Sequence, residues 1–299
     1  METRNSERLG LRTDTVLLPI AVLMVAMVCF QVGAAMAKGL FPAVGAAGAA
    51  ALRLALAALM LLAVWRPWRM RLNPRGMRVI VFYGMALGFM NFFFYLSLRS
   101  IPLGIAVALE FTGPLALAMM ASRRAIDFLW ILMAGLGLLG LLPLGVGSKP
   151  LEPLGLGCAL AAGLCWVLYI HYGRKAGAEH GGQTTALGMA IGAVVIVPFG
   201  ISQVGVQLIS PAILPAAFAV ALVSSALPYS LEMWAMPRLP TRTVGVLMSL
   251  DPAMGALSGL CFLGERLSWI QWAAIASVMA ASAGSAITGR DAVPQLLPD

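Results

Sequence analysis

Two carboxyl groups stand in the middle of long apolar stretches of this 299-residue chain. Glu110 lies within PLGIAVALEFTGPLALA (102–118), and Asp251 lies within PTRTVGVLMSLDPAMGA (240–256). The stretches begin 138 positions apart, each at a proline, and each has a second proline just after its carboxyl group. An ionisable group inside a membrane span is costly and indicates a functional site. Proline-interrupted spans at matching places in two halves of a chain indicate the binding site of a transporter.

The chemistry open to these stretches is proton exchange and ligand binding. A carboxyl group in an apolar environment holds a proton more readily than one in water, so Glu110 or Asp251 could carry one. The alternative is a protonated or hydrogen-bonded carboxyl group that serves helix packing. Pro114 deprives the Glu110 carbonyl of its helical N–H donor, and Pro252 does the same for Met248. These carbonyls could accept from a ligand ammonium or from water, or the prolines could mark kinks that neighbouring helices satisfy.

Other polar and aromatic side chains fall within apolar stretches and could line a cavity. Arg53 cannot be neutralised, so it must pair or extend to the membrane surface. Pairing within the protein is favoured over binding a substrate carboxylate. Tyr229, Ser230 and Glu232 lie close together in the sequence and could form an inner gate. The remaining candidates for a substrate or proton site are Gln31, Asn91, Tyr95, Thr112, Trp166, Tyr169 and Ser249.

The elements that must position these residues are membrane-spanning helices. The chain is 61% hydrophobic and 11% charged, whereas soluble domains average about 25% charged residues. A span needs roughly 20 apolar residues, and ten such stretches follow one another with short connections. The composition therefore predicts an all-α integral membrane protein. The predicted spans are 17–37, 46–65, 78–98, 102–121, 126–146, 153–173, 184–203, 212–232, 240–262 and 267–288.

The formal net charge of +8 is unevenly distributed among the connections. If the N-terminus is cytoplasmic, the inside segments hold 15 Lys and Arg residues and the outside segments hold four. This bias follows the positive-inside rule and predicts that both termini are cytoplasmic. The basic charge is thereby explained by membrane orientation, and no nucleic-acid partner is predicted.

The chain is predicted to contain an internal duplication. The first repeat comprises a short cytoplasmic leader and spans one to five (1–150), the second comprises spans six to ten (151–289), and 290–299 form a cytoplasmic tail. Lys38 and Arg174, 136 positions apart, are corresponding residues of the first and sixth spans. Two copies with an odd number of spans enter the membrane in opposite senses, so the fold class is ten transmembrane helices as two inverted five-helix repeats.

Four segments resemble amino-acid exporters of the drug/metabolite transporter superfamily, which carry two EamA-type repeats of five spans. The resemblance extends from about Pro19 to Gly289, and the subgroup it indicates has Glu at the position of Asp251. The four segments are FPAVGAAGAAALRLALAALM (41–60), PLGIAVALEFTGPLALA (102–118), RKAGAEHG (174–181) and LPYSLEMWAMPRLPTRTVGVLMSLDPA (227–253).

The resemblance implies a secondary active exporter of small neutral amino acids such as threonine and homoserine. It implies operation in the bacterial cytoplasmic (inner) membrane by proton antiport with alternating access. The partners are then the amino acid, protons and the lipid bilayer, and no cofactor is expected. The residues alone predict a secondary transporter and leave the oligomeric state open.

Two other functions compete with this interpretation. An exporter of other metabolites or drugs in the same superfamily would also use membrane-embedded carboxyl groups. An integral-membrane enzyme is the remote alternative, because the chain has only two His, no H-E-x-x-H motif and no metal-spaced cluster. ATP-driven transport is disfavoured by the absence of a P-loop sequence. The prediction is therefore a transporter and not an enzyme.

Overall fold

Every regular element in the described part of the chain is helical, which confirms the all-α prediction. The structure is a computed structural model. It describes residues 2–69, 74–120, 125–141, 152–177, 181–205, 208 and 210–288.

Twelve α-helices account for most of these residues, and three short 3₁₀ or π segments connect some of them. The helices are α1 (Glu2–Lys38), α2 (Phe41–Trp65), α3 (Pro74–Ser97), α4 (Leu103–Met120), α5 (Ala125–Leu141), α6 (Pro153–Gly177), α7 (Gly181–Val204), α8 (Leu214–Ala221), α9 (Leu227–Ala235), α10 (Thr241–Met248), α11 (Asp251–Leu263) and α12 (Trp269–Thr288).

Eight helical segments of the described residues are long and apolar enough to cross a membrane. They coincide with the predicted spans one to three and six to ten. Two shorter apolar helices, Leu103–Leu117 and Phe128–Leu141, stand where the fourth and fifth spans are predicted. A multi-pass membrane protein is therefore confirmed, and the full count of ten spans stays a prediction. Residues 142–146 of the predicted fifth span lie outside the described part.

The helices of the first half pack mainly on helices of the second half. α2 packs along α7, α3 packs on α6 and α7, and α4 lies between α6 and α11. α5 packs on α12, and α1 contacts α9 and α11. Residues from the two halves therefore face each other across the centre of the bundle.

Glycines allow the closest of these approaches. A Cβ atom added at Gly88 of α3 would lie 2.8 Å from the Cα atom of Gly192 in α7. Small residues at helix contacts let backbones approach closely in membranes, where dispersion forces hold helices together. Close packing of the two halves thus follows from glycine positions already visible in the sequence.

Candidate functional site

A cavity of about 470 Å³ lies between the two halves of the bundle. Its volume is in the range of roughly 300–1,000 Å³ that is typical of small-molecule sites. Arg174 at the end of α6 and Thr241 at the start of α10 are exposed and mark its mouth. Met248 and Asp251, further along the same span as Thr241, line its interior. The cavity therefore opens at one end of the bundle and reaches its middle.

Three buried carboxyl groups line this cavity. Glu110 and Asp251 are each 8% exposed, and Glu232 is 7% exposed. Glu110 and Glu232 both lie within electrostatic reach of Asp251, and Gln31 makes a side-chain hydrogen bond with Asp251. Within the described part of the chain, none of the three acids forms an ion pair. The cavity thus gathers acidic groups from both halves with no fixed cation bound to any of them.

The ninth span, which the sequence predicts over 240–262 with a helix break at Pro252, is interrupted just before this proline. α10 ends at Met248 and α11 begins at Asp251, with a turn between them. Pro252 occupies the first turn of α11, where a proline costs no helical hydrogen bond because that N–H has no partner within the helix. Asp251 consequently stands at a helix N-terminus, where the dipole favours a carboxylate. Discontinuous spans of this kind place ion and substrate sites in transporters.

The fourth span is continuous, although Pro114 lies inside it. The helix break that the sequence predicts at Pro114 is not observed, and Pro114 lines the cavity. The Glu110 carbonyl that Pro114 frees faces α6, because a Cβ atom added at Gly163 would lie 2.6 Å from its oxygen. This carbonyl therefore serves the contact between α4 and α6, and the carboxyl group of Glu110 is the part that lines the cavity.

Arg53 lines the cavity from α2 and is 4% exposed. Its Nη1 donates to the Ser224 carbonyl at 3.1 Å, and its Nη2 donates to the Oδ1 of Asn91. Its Cζ lies 4.8 Å from the centre of the Tyr95 ring, and its Nε has no hydrogen-bond partner. Arg53 is thus held by neutral groups of two segments, α3 and the eighth span, and does not extend to the membrane surface.

A proline in the eighth span supplies one of these partners. Pro228 has no N–H group to donate to the carbonyl four residues earlier, which is that of Ser224. A π-helical segment over Leu222–Ala226 lies at the same point. The free carbonyl accepts from Arg53 instead. Sequence reasoning missed this link, although Pro228 and its spacing from Ser224 are visible in the sequence.

Aromatic side chains form much of the remaining wall. Trp166 lies edge-on to Phe111 with centroids 5.6 Å apart, and Tyr229 lies edge-on to Phe30 at 5.0 Å. Tyr169, which lines the cavity, stacks with Tyr83, which does not, and their ring centroids are 5.0 Å apart. Of the predicted site residues, those that line the cavity are Gln31, Arg53, Asn91, Tyr95, Glu110, Pro114, Trp166, Tyr169, Tyr229, Glu232 and Asp251.

Three predicted hydroxyl groups do not line the cavity. Thr112, Ser230 and Ser249 each donate to a carbonyl of the preceding helical turn, at 2.6, 2.7 and 2.6 Å respectively. Pro252 also lies outside the lining set. Their positions in the sequence are close to the cavity residues, but the rotation of their helices directs them elsewhere.

Sequence reasoning missed several residues that do line the cavity. Ser282 and Ser285 of α12 are buried polar groups three positions apart, a spacing that places them on one helix face. Arg174 stands at the mouth. Among the described residues, no cluster of His, Cys, Asp or Glu side chains is arranged to hold a metal ion. The other missed lining residues include Phe30, Phe94, Met90, Met233, Met236, Thr241 and Met248.

Comparison with known proteins gives close relatives. The chain is 53% identical over 281 residues to the threonine/homoserine exporter RhtA of Escherichia coli strain K12, a match that covers 94% of this chain and 95% of that protein. It is 54% identical over 273 residues to RhtA of Salmonella typhimurium strain SL1344, covering 91% and 92% respectively. The EamA-like transporter family matches residues 153–287.

One solved crystal structure has the same fold at low sequence identity. It matches with a TM-score of 0.57 and 19% identity over 93% of this chain and 98% of that chain. At this identity the likeness concerns the fold alone.

The helical bundle and its central cavity define a multi-pass membrane transporter. The relatives are named as exporters, which confirms that the protein is not an enzyme. The chain belongs to the RhtA family of exporters and carries an EamA-like transporter domain in its second half.

Proposed function

We propose that this protein is a secondary active exporter of small neutral amino acids of the threonine/homoserine type. It works in the bacterial cytoplasmic membrane by proton antiport with alternating access. The observation that carries the proposal is the acidic cavity at the middle of the bundle, in a chain 53% identical to a threonine/homoserine exporter. Close identity over nearly the whole chain supports transfer of the substrate class.

Orientation rests on the distribution of basic residues. The 15-to-4 bias of Lys and Arg between the two sets of connections supports a cytoplasmic position for both termini. The cavity mouth, marked by Arg174 and Thr241, then faces the cytoplasm. With this orientation, the mouth lies on the side from which an exporter must load its substrate.

Two inverted repeats, 1–150 and 151–289, provide the alternating access. Helices of the first segment pack mainly on helices of the second, so the cavity lies between the two proposed repeats. Rocking of one repeat against the other around a fixed central site would close the mouth at Arg174 and open the opposite end.

The cavity offers partners for each group of an amino-acid zwitterion. Glu110 or Asp251 can accept from the substrate ammonium, while Asn91, Tyr95 or Arg53 can donate to its carboxylate. Ser282 and Ser285 are polar neighbours for a side-chain hydroxyl. Thr112 and Ser249 are candidates for a substrate site from the sequence, but their hydroxyl protons are donated to carbonyls of their own helices.

Proton coupling is assigned to Glu110 or Asp251. Both are buried at mid-span and form no ion pair in the described part of the chain, so each can alternate between a protonated state and a state that binds the substrate ammonium. Competition of a proton and an ammonium for the same carboxyl group couples their opposite movements across the membrane.

Counterflow in proteoliposomes tests the proposal. Vesicles loaded with unlabelled threonine should accumulate labelled threonine and homoserine more than labelled valine, because a site built for a hydroxyl is left with an unpaired polar group by valine. The control is protein-free vesicles. Equal counterflow of all three would contradict hydroxyl recognition. Counterflow of tetraphenylphosphonium without any amino acid would favour the alternative, an exporter of drugs or other metabolites.

A further inference from the structure

Arg53 is a buried cation that lacks an anionic partner in the described part of the chain. The ion pair found there joins Lys38 and Glu265, at a distance from this site. The groups that hold Arg53 are a backbone carbonyl, an amide oxygen and an aromatic ring, all of them neutral. Burying a charge is costly unless an opposite charge and hydrogen bonds compensate for it. The cavity therefore contains a positive charge that forms no ion pair with any acid of the described residues.

The guanidinium group is nevertheless held in place. The Nδ2 of Asn91 donates to the Leu87 carbonyl at 2.7 Å, which orients the amide so that its oxygen faces Arg53. Ser224 is held against α1, because the site of a Cβ atom on Gly33 is already occupied by Ser224. Both Nη atoms therefore have fixed acceptors, while the Nε proton has none. A fixed cation that lines the cavity and is held only by neutral groups is suited to an anion.

We propose that Arg53 binds the α-carboxylate of the exported amino acid. A guanidinium group is planar, always charged and matched to carboxylate geometry, so it binds a carboxylate more strongly than neutral donors do. Asn91 and the Ser224 carbonyl then position Arg53, and Glu110 or Asp251 receives the ammonium. The inference rests on the proposed function and deepens it, because it restricts the substrate to molecules with a free carboxylate.

The cavity supplies the complementary charges for such a molecule. Glu110 interacts electrostatically with Arg53, yet the two form no ion pair. A small zwitterion can occupy the space between them and satisfy both groups at once. An amino alcohol or an amino-acid ester would leave the cation uncompensated.

The first test uses substrate analogues on the unchanged protein. Labelled threonine counterflow should be inhibited by unlabelled threonine and homoserine. Threoninol and threonine methyl ester, which lack the carboxylate, should inhibit at least about tenfold more weakly, since they lose the charge-assisted hydrogen bonds that a carboxylate accepts. Equal inhibition by threoninol would overturn the role of Arg53 and leave amino-acid export intact. Absence of any threonine counterflow would instead contradict the proposed function.

The second test is a pair of isosteric variants at the residue that positions Arg53. Asn91→Asp gives Arg53 an internal carboxylate partner, and Asn91→Leu removes a partner without adding charge. If Arg53 binds the substrate, Asn91→Asp should raise the apparent KM for threonine by about tenfold or more, because the internal carboxylate competes. Asn91→Leu should keep a lower KM than Asn91→Asp.

A purely structural Arg53 predicts the opposite order. Asn91→Asp would then satisfy the buried cation and transport normally, while Asn91→Leu would be the more damaged variant. Thermal unfolding in detergent shows that each variant is folded before KM is compared. A wild-type KM in a folded Asn91→Asp variant would overturn the proposal. If either variant fails to fold, the analogue experiment decides alone.

Discussion

Lys38 and Glu265 form an ion pair of 2.6 Å at the end of the bundle opposite the cavity mouth. The second oxygen of Glu265 accepts from the backbone N–H of Leu103 at 2.7 Å, so the pair joins the ends of three helical segments. The ninth span runs from Thr241 at the mouth to Leu263 beside this pair. In an alternating-access cycle this closed end must open.

Weakening the Lys38–Glu265 contact should shift the protein toward the state in which the end that holds this ion pair is open. The test uses a protein without the four native cysteines that carries Ala34→Cys in the cavity wall as a reporter. With Glu265→Gln added, this cysteine should react faster with an impermeant maleimide supplied from outside than it does without Glu265→Gln. The reason is that Gln cannot form the ion pair with Lys38. The measurement is the labelling rate in right-side-out vesicles.

The charge-swapped variant Lys38→Glu with Glu265→Lys is the control for that experiment. It restores an ion pair but offers Leu103 no acceptor, so labelling should return only partly toward the original rate. An identical labelling rate in the parent and in Glu265→Gln would show that the pair does not hold this end closed.

The contact between α4 and α6 should leave no room for a side chain at Gly163. Gly163→Ala places a methyl group against the Glu110 carbonyl, which is backbone and cannot rotate away. We expect a loss of about 1–3 kcal/mol, as for other overpacked cores, and reduced transport because Glu110 shifts with α4. The lower unfolding midpoint is measured by thermal scanning in detergent.

A second glycine of α6 provides a matched control for this substitution. Gly157 has no atom within 4 Å of an added Cβ. Gly157→Ala should therefore keep or slightly raise the unfolding midpoint, since Ala is the better helix former. Equal destabilisation by both substitutions would mean that the contact with the Glu110 carbonyl is not the cause.

Neutralising the mid-span acids should separate exchange from proton-driven export. Glu110→Gln and Asp251→Asn should leave inserted protein, because Gln and Asn keep the size of the side chains. At least one variant should lose concentrative efflux under an imposed pH gradient while keeping threonine counterflow, which needs no net proton movement. If both variants concentrate threonine at the original rate, neither residue couples protons to transport.

Both termini should be found in the cytoplasm. The basic connections cannot easily cross the membrane, which is the physical reason for the positive-inside bias. A C-terminal fluorescent protein should therefore be bright, and a C-terminal alkaline phosphatase should be inactive. The reverse pattern would invert the assignment of the cavity mouth to the cytoplasm.

The membrane-spanning character of this chain was determined by sequence alone. Long apolar stretches must form helices in a bilayer, because only internal hydrogen bonds can satisfy the backbone there. Glu110, Asp251 and Arg53 were recognisable as site candidates for a related reason, since an ionisable group at that depth needs a specific partner or role. Those predictions require no knowledge of how the helices are arranged.

Tertiary structure decided which polar groups face the cavity and which face their own helix. Thr112 and Ser249 lie close in sequence to the acids but donate to nearby carbonyls, whereas Ser282 and Ser285 line the wall. The partners of Arg53 come from segments distant in sequence. The rotation of each helix and the fit between the two halves determine these contacts. They depend on how helices pack against each other, which the hydropathy of a single stretch does not encode.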